Sequence, residues 1–273
     1  MHPIERLRWV ARADGEDLSL LVQEAAAALS GFADDPAALV TACRSLVDRH
    51  PAAGPVWWLA ARCLMSGDPV AEAWQAADAL GRDRTGRTLV SDLPPEAKVV
   101  VLGWPEVAGA GLRRRPDTTL LMVDTGDEGS PGPARLARSG HHVVEVPESG
   151  LGAAVVRADV LVLEADAMGP GGFVAAAGSR AAAAVAAEAG VAVWVVAGVG
   201  RVLPDRLWGA LCGRLADTDE PWLDAAEVVP FRPTDFVVRA GGRFDPATAV
   251  AEPDCPFAPE LLRPLDAPGS HRA

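Results

Sequence analysis

The sequence is short of the residues on which several function classes depend. Lysine occurs once, as Lys98, and tyrosine is absent, so nearly every positive charge is an arginine. That bias reflects GC-rich coding rather than a chemical requirement. Basic residues are outnumbered, 25 Lys and Arg against 37 Asp and Glu, and the net charge of −12 excludes general affinity for nucleic acid, whose phosphates require a basic face. No run of ~20 residues is free of charge, because Arg180 and Glu188 interrupt the most apolar region, so no membrane-spanning helix is expected. The four cysteines, Cys43, Cys63, Cys212 and Cys255, include no CxxC pair and no histidine at ligand spacing. Neither a zinc site nor a disulfide framework is therefore expected, and reduced thiols in the cytoplasm are. The opening residues Met1-His2-Pro3-Ile4-Glu5-Arg6 lack the basic and apolar segments of an export signal, and none is expected.

What the chain does contain is helical periodicity, then β-branched runs. From Ile4 to Leu80 apolar residues recur at helical spacing, as in Leu18, Leu20, Leu21, Ala25, Ala28 and Leu29. Asp34-Asp35-Pro36 and Gly67-Asp68-Pro69 each offer a cap followed by a first-turn proline. Trp57, Trp58 and Trp74 fall on apolar faces and are expected in the core between helices. Residues 1–90 thus read as a helical N-terminal domain, with Gly81 to Pro95 as its linker. Residues 91–251 carry short apolar runs at 99–102, 119–123, 142–146, 160–163 and 191–196, alternating with helical stretches such as Ala134 to Ser139 and Phe173 to Ala189. Continuous apolar strands imply burial on both faces, and their alternation with helices implies a doubly wound, mainly parallel, Rossmann-like α/β sheet. Residues 252–273, rich in proline and polar residues, read as a C-terminal arm or tail.

In such sheets ligands bind beyond the carboxyl ends of the strands. The candidates are Gly103 and Trp104 after the first strand, Asp124 and Thr125 after the second, Asp166 after the fourth and Arg201 after the fifth. Glu164 and Asp166 precede a glycine-rich turn and an alanine-rich stretch, so Gly171, Gly172 and Phe173 are expected to open a helix whose N–H groups hold an anion. Asp166 would then orient hydroxyls or move a proton, or else only cap the turn. Neither GxGxxG nor a P-loop lysine is present, and no cofactor or metal is expected. Arg113-Arg114-Arg115 reads as a solvated helix end, and Trp104 either stacks on a ligand or plugs the cleft.

The run from Val160 to Arg180, Val-Leu-Val-Leu-Glu-Ala-Asp-Ala-Met-Gly-Pro-Gly-Gly-Phe-Val-Ala-Ala-Ala-Gly-Ser-Arg, followed by Gly190 to Ala197, resembles the initiation-factor-2B-like family. That family includes regulatory subunits of translation initiation factor 2B, methylthioribose-1-phosphate isomerase and ribose-1,5-bisphosphate isomerase. The resemblance covers residues 98–205 and, as architecture only, the helical segment before them. It implies a helical domain followed by a Rossmann-like one, a homodimer paired through the latter, and a phosphorylated small molecule as ligand. It places Asp166 on the catalytic Asp, Gly178 and Ser179 on the family's Gly-Thr pair, and Arg201 near a basic residue closing the next loop.

Several catalytic groups of the isomerases have no counterpart. Leu102-Gly103-Trp104-Pro105 stands where they carry a Thr-His-Cys-like sequence, Asp124-Thr125-Gly126-Asp127 stands where an arginine holds phosphate, and Ala175-Ala176 replaces an Asn-Lys pair. The leading expectation is a ligand-binding or assembly protein without isomerase activity. An enzyme using Asp166 with Asp124 or Asp127 on a less anionic substrate, and a structural partner protein with a vestigial cleft, are the alternatives.

Overall fold

The computed structural model describes residues 18–126, Leu136 and residues 140–265. They divide into two compact units that are not consecutive in sequence. Residues up to Arg82, Gly200–Thr218 and the segment from Pro253 make the first; Asp83–Val199 and Asp219–Glu252 make the second. Composition had suggested three successive segments, whereas here the chain leaves the first unit and returns to it twice.

The first unit is helical: α1 (Leu18–Leu29), α2 (Pro36–Arg49), α3 (Gly54–Met65), α4 (Pro69–Gly81) and α9 (Asp205–Leu215). Its helix starts follow the sequence signals. Asp35 accepts from the Ala38 N–H and Asp68 from the Ala71 N–H, each at 3.0 Å, with Pro36 and Pro69 in the first turn where no amide hydrogen is needed. Trp57 and Trp58 are buried on α3, but Trp74 is 49% exposed, because Ala73, Ala76 and Ala77 already fill the inward face of α4. The segment from Pro253 is tied down by polar bonds. Arg44 Nε donates to the Glu260 carbonyl, and Asp48 accepts from Arg214 Nε and the Leu265 N–H.

The second unit begins where a linker was expected. Residues 85–92 form instead a helix, α5 (Thr85–Asp92), started by Asp83, which accepts from the Thr85 N–H at 2.8 Å, and anchored by buried Leu89. The sheet follows: β1 (Lys98–Leu102), β2 (Thr119–Val123), β3 (His142–Val146), β4 (Val160–Glu164), β7 (Ala192–Val196), β9 (Phe236–Arg239) and β10 (Gly242–Phe244), in the order β10-β9-β7-β4-β1-β2-β3. Every pairing is parallel except β10 with β9, so the α/β, mainly parallel architecture is as the sequence reads. β1, β4 and β7 are buried runs, while β3, at the sheet edge, is largely exposed. The crossovers are α6 (Glu106–Leu112), α7 (Leu151–Val156) and α8 (Ser179–Ala189), and α10 (Pro246–Ala251) follows β10. Of the helix expected at Ala134 to Ser139, only buried Leu136 lies within the described residues.

The region after β4 departs most from expectation. β5 (Ala167–Gly169) and β6 (Gly172–Ala176) form a hairpin, and β8 (Ala226–Pro230) pairs antiparallel with β6 to complete a second, three-stranded sheet. The helix therefore begins at Ser179, not at Phe173. Phe173 and Val174 are fully buried as strand residues, and Pro170-Gly171 forms the turn, with Gly171 at φ +90°.

Two contacts fix where β1 and α6 lie. Helices α5 and α6 cross at Gly86 and Gly111, so closely that a Cβ at Gly86 would lie 2.5 Å from the Val107 carbonyl oxygen, and one at Gly111 would overlap the Gly86 carbonyl. Arg115 is not solvated as read: its guanidinium donates to the carbonyls of Val90, Leu93 and Pro94 and to both oxygens of Asp117, which also accepts from the Glu96 N–H. Gly111→Ala should force the helices apart and lower stability by about 2 kcal/mol, as overpacked substitutions do, measured by urea unfolding. The Arg115 hydrogen bonds hold the Asp117 carboxyl well below the usual carboxylate range. A depressed folded value means this stabilisation is complete above the unfolded pKa of about 3.9 and disappears as pH falls toward the folded one. Unfolding midpoints from pH 6 to pH 2 should thus drop more steeply for wild type than for Asp117→Asn below about pH 4; parallel curves would show that the pair adds nothing.

Candidate functional site

The chain runs from β1 outward through β2 to β3, then returns to the other side of β1 for β4 and β7. The strand order therefore switches between β1 and β4, the point where an open parallel sheet leaves a crevice at its carboxyl edge. The residues there are Gly103 and Trp104 after β1, and Glu164, Ala165 and Asp166 at and after the end of β4.

Helix α6 starts at this switch point without a local cap, since its N-cap residue is Pro105, which has no side-chain acceptor. The cap comes from across the sheet. Glu164 Oε1 accepts from the Val107 N–H at 3.1 Å, and Oε2 from the Ala108 N–H at 2.8 Å. These are the second and third residues of the helix, the N–H groups that a capping side chain normally satisfies. A carboxylate here also faces the positive end of the helix dipole. The chain's own negative charge thus occupies the N–H groups to which a bound phosphate would turn.

A second helix start is closed in the same way. Gly178, at φ +89°, precedes α8 with no side-chain cap of its own, and Glu227 of β8 accepts from the Arg180 N–H at 3.0 Å. A Cβ on Gly178 would touch the Leu102 side chain at 3.5 Å, so Gly178 and the buried Ser179 lie beside the end of β1.

The other strand-end residues are arranged around this centre. Gly103, at φ +56°, donates to the Val123 carbonyl, and a Cβ on it would lie 2.9 Å from Thr125 Oγ1, which brings the loops after β1 and β2 together. Trp104 folds back onto its own helix: a Cβ on Gly109 would sit 2.7 Å from the indole, and the Arg113 guanidinium lies 5.7 Å from the ring centroid. The ring also packs against the sheet core. Asp124 is exposed and closes its own turn, accepting from the Gly126 N–H at 2.9 Å; Asp127 lies outside the described residues.

Asp166 is half-buried and its interactions are met within the protein. Its N–H donates to the Val174 carbonyl, which makes it the entry to the β5–β6 hairpin. Gly171 and Gly172 sit at the tip of that hairpin rather than at a helix start. The Phe231 N–H donates to the Gly171 carbonyl, and a Cβ on Gly172 would lie 2.6 Å from the Val229 carbonyl oxygen. The anion-holding geometry expected of them is absent because their backbone pairs with strands. Arg201 belongs to the first unit, where it is 2% exposed and engaged.

All four cysteines also belong to the first unit. Burial pushes the Cys63 thiol up to about 12 and raises Cys43, Cys212 and Cys255 as well, so none is a ready thiolate near neutral pH. Among the described residues no group of three or more His, Cys, Asp or Glu is arranged to hold a metal ion, and no helix is long and apolar enough to cross a membrane.

The sequence reading had not assigned Glu164 a role. A signal was present: a glutamate at the last position of a buried strand, facing a helix whose start, Trp104-Pro105-Glu106, offers no Ser, Thr, Asp or Asn as cap. Glu164→Ala should leave two amide hydrogens without their ionised acceptor and cost about 2–3 kcal/mol in urea unfolding, with Glu164→Gln losing less. Equal stability of wild type and Glu164→Ala would mean that water replaces the cap without loss.

No protein-family model matches the chain, and no curated protein matches it in sequence. Solved structures do match. A translation initiation factor eIF-2B from Pyrococcus horikoshii OT3 superposes with a TM-score of 0.72 at 14% identity, over 91% of this chain and 98% of that one. The tetrameric eIF2B-beta2-delta2 complex from C. thermophilum gives 0.72 at 14% identity over 91% and 92%. The eIF2B delta of Chaetomium thermophilum gives 0.65 at 17% identity over 88% and 97%. At these identities the likeness establishes the fold, which is that of eIF-2B subunits along nearly the whole chain.

Proposed function

We propose that this chain is a non-isomerising protein of the eIF-2B-like fold that acts in ligand binding or assembly, and that a ligand at its sheet edge is neutral or cationic rather than phosphorylated. The observation that carries the reading is the Glu164 carboxylate on the Val107 and Ala108 N–H groups. A phosphoryl group brought to that helix start meets a carboxylate already in place. Like unit charges ~5–6 Å apart cost about 3 kcal/mol at an effective dielectric constant near 20. A dianion would lose that twice over, and residues 103–105, 124–126 and 165–166 hold neither lysine nor arginine to compensate.

The missing chemistry agrees with this. An isomerase of the kind the sequence resembles needs a thiol beside β1, and the loop there reads Gly103-Trp104-Pro105 with the indole laid against α6. Asp166 remains the residue on which any proton transfer would depend. Its suggested carboxylate partner Asp124 is exposed and held in its own turn by the Gly126 N–H, and Asp127 lies outside the described residues. For assembly, the relevant support is that one structure of this fold is a tetrameric complex. We extend that to a homodimer here.

The test uses ribose 1,5-bisphosphate and 5-methylthioribose 1-phosphate, with the corresponding neutral sugars, in thermal unfolding and isomerisation assays on wild type and Asp166→Ala. The phosphorylated sugars should leave the melting temperature unchanged and remain unconverted. Turnover by wild type that Asp166→Ala abolishes would sink the proposal.

A further inference from the structure

Outside the sheet edge, the least buried large apolar side chains among the described residues are adjacent: Trp222 is 74% exposed and Leu223 is 71% exposed. They lie on the connection that leads into β8. Glu220-Pro221-Trp222-Leu223 is a closed turn, the Leu223 N–H donating to the Glu220 carbonyl at 2.9 Å, with Pro221 fixing the backbone at its second position. The pair is thus presented on a defined turn. Asp219, Glu220 and Asp224 flank it, all exposed, and no basic side chain among the described residues pairs with Asp219 or Asp224.

We infer that the Trp222-Leu223 turn is a docking element for another protein, one that presents an apolar pocket rimmed by Arg or Lys. An indole and an adjacent leucine held out into water by a proline turn supply the kind of anchor that dominates protein interfaces, and tryptophan is the residue most enriched among such anchors. The acidic flank selects the partner by charge: it steers a basic rim toward the turn and repels an acidic one. Two copies meeting turn against turn would set these carboxylates against one another, so the homodimer proposed above pairs through another face. The turn is also coupled to the sheet edge. Ala225, just beyond it, accepts from the Ala177 N–H, and Glu227 caps α8 at Arg180, so a partner gripping the turn pulls on the strand that closes α8. This inference does not depend on the ligand reading above.

The full-length protein carrying a photo-crosslinking phenylalanine analogue at position 222 is irradiated in its host cells, and the adduct is identified by mass spectrometry. The identified protein is then purified and titrated against wild type, Trp222→Ala and the Asp219→Asn, Asp224→Asn double variant, with circular dichroism confirming that each is folded. A heterologous partner is expected, bound at least about tenfold more weakly by Trp222→Ala, with weaker binding and a shallower salt dependence for the double variant. Adducts only with a second copy of this chain, no adduct at all, or a partner whose affinity is indifferent to Trp222→Ala would overturn the inference.

Discussion

The carboxyl edge of the sheet is organised by one carboxylate. Glu164 ends β4, the strand that lies beside β1 at the switch in strand order, and it reaches the helix that follows β1. The bond joins the two halves of the sheet exactly where their connections diverge, which is where this architecture otherwise leaves room for a ligand. Because α6 begins after a proline, nothing local can replace Glu164. The strand, the helix and the character of the site between them therefore rest on the same side chain.

That interaction has geometric prerequisites. Helix α6 must stand close enough to β4 for a glutamate to span the gap, and the Gly86–Gly111 crossing with α5 sets its position. The β1–β2 corner must be held as well, and Arg115 does so by gathering three carbonyls and Asp117. Trp104 completes the arrangement by covering Gly109 on the outer turn of α6. A larger residue at 109 would displace the indole. The small residues of Glu106–Leu112 thus follow from close packing on two sides.

The parallel strands were legible in the sequence because Val99-Val100-Val101-Leu102 and Val160-Leu161-Val162-Leu163 are buried on both faces and so carry an unbroken apolar signal. The caps at Asp35 and Asp68 were legible because they are local chemistry. The hairpin at 167–176 was not, since Gly172-Phe173-Val174-Ala175-Ala176 runs into an alanine-rich helix without a break in composition, and its strand character comes from pairing with β8 some fifty residues later in the chain. Helix α5 was missed for a similar reason: its glycine and its charges look like a linker until the glycine is found against Gly111. Within the site, Gly103 and Thr125 follow strands that the sequence marks, whereas Gly178 was singled out only by the family resemblance, inside a stretch read as helix. The role of Glu164 is harder to read, because the cap comes from another strand and the one local sign of it is a helix start, Trp104-Pro105-Glu106, with no capping side chain of its own.

The fold neighbours show how far the architecture can be carried at 14% identity, and they do not transmit a function with it. In this chain two glutamates, Glu164 and Glu227, close both helix starts beside β1. The most direct test is an amide NMR titration of the wild-type protein with ribose 5-phosphate, following Val107 and Ala108. If Glu164 occupies their N–H groups, both resonances stay in place as the phosphate is added, and they move when Glu164 is replaced by Gln. Saturable shifts of Val107 and Ala108 in the wild-type protein would contradict the account, because they would show that an anion reaches a helix start held here to be already filled.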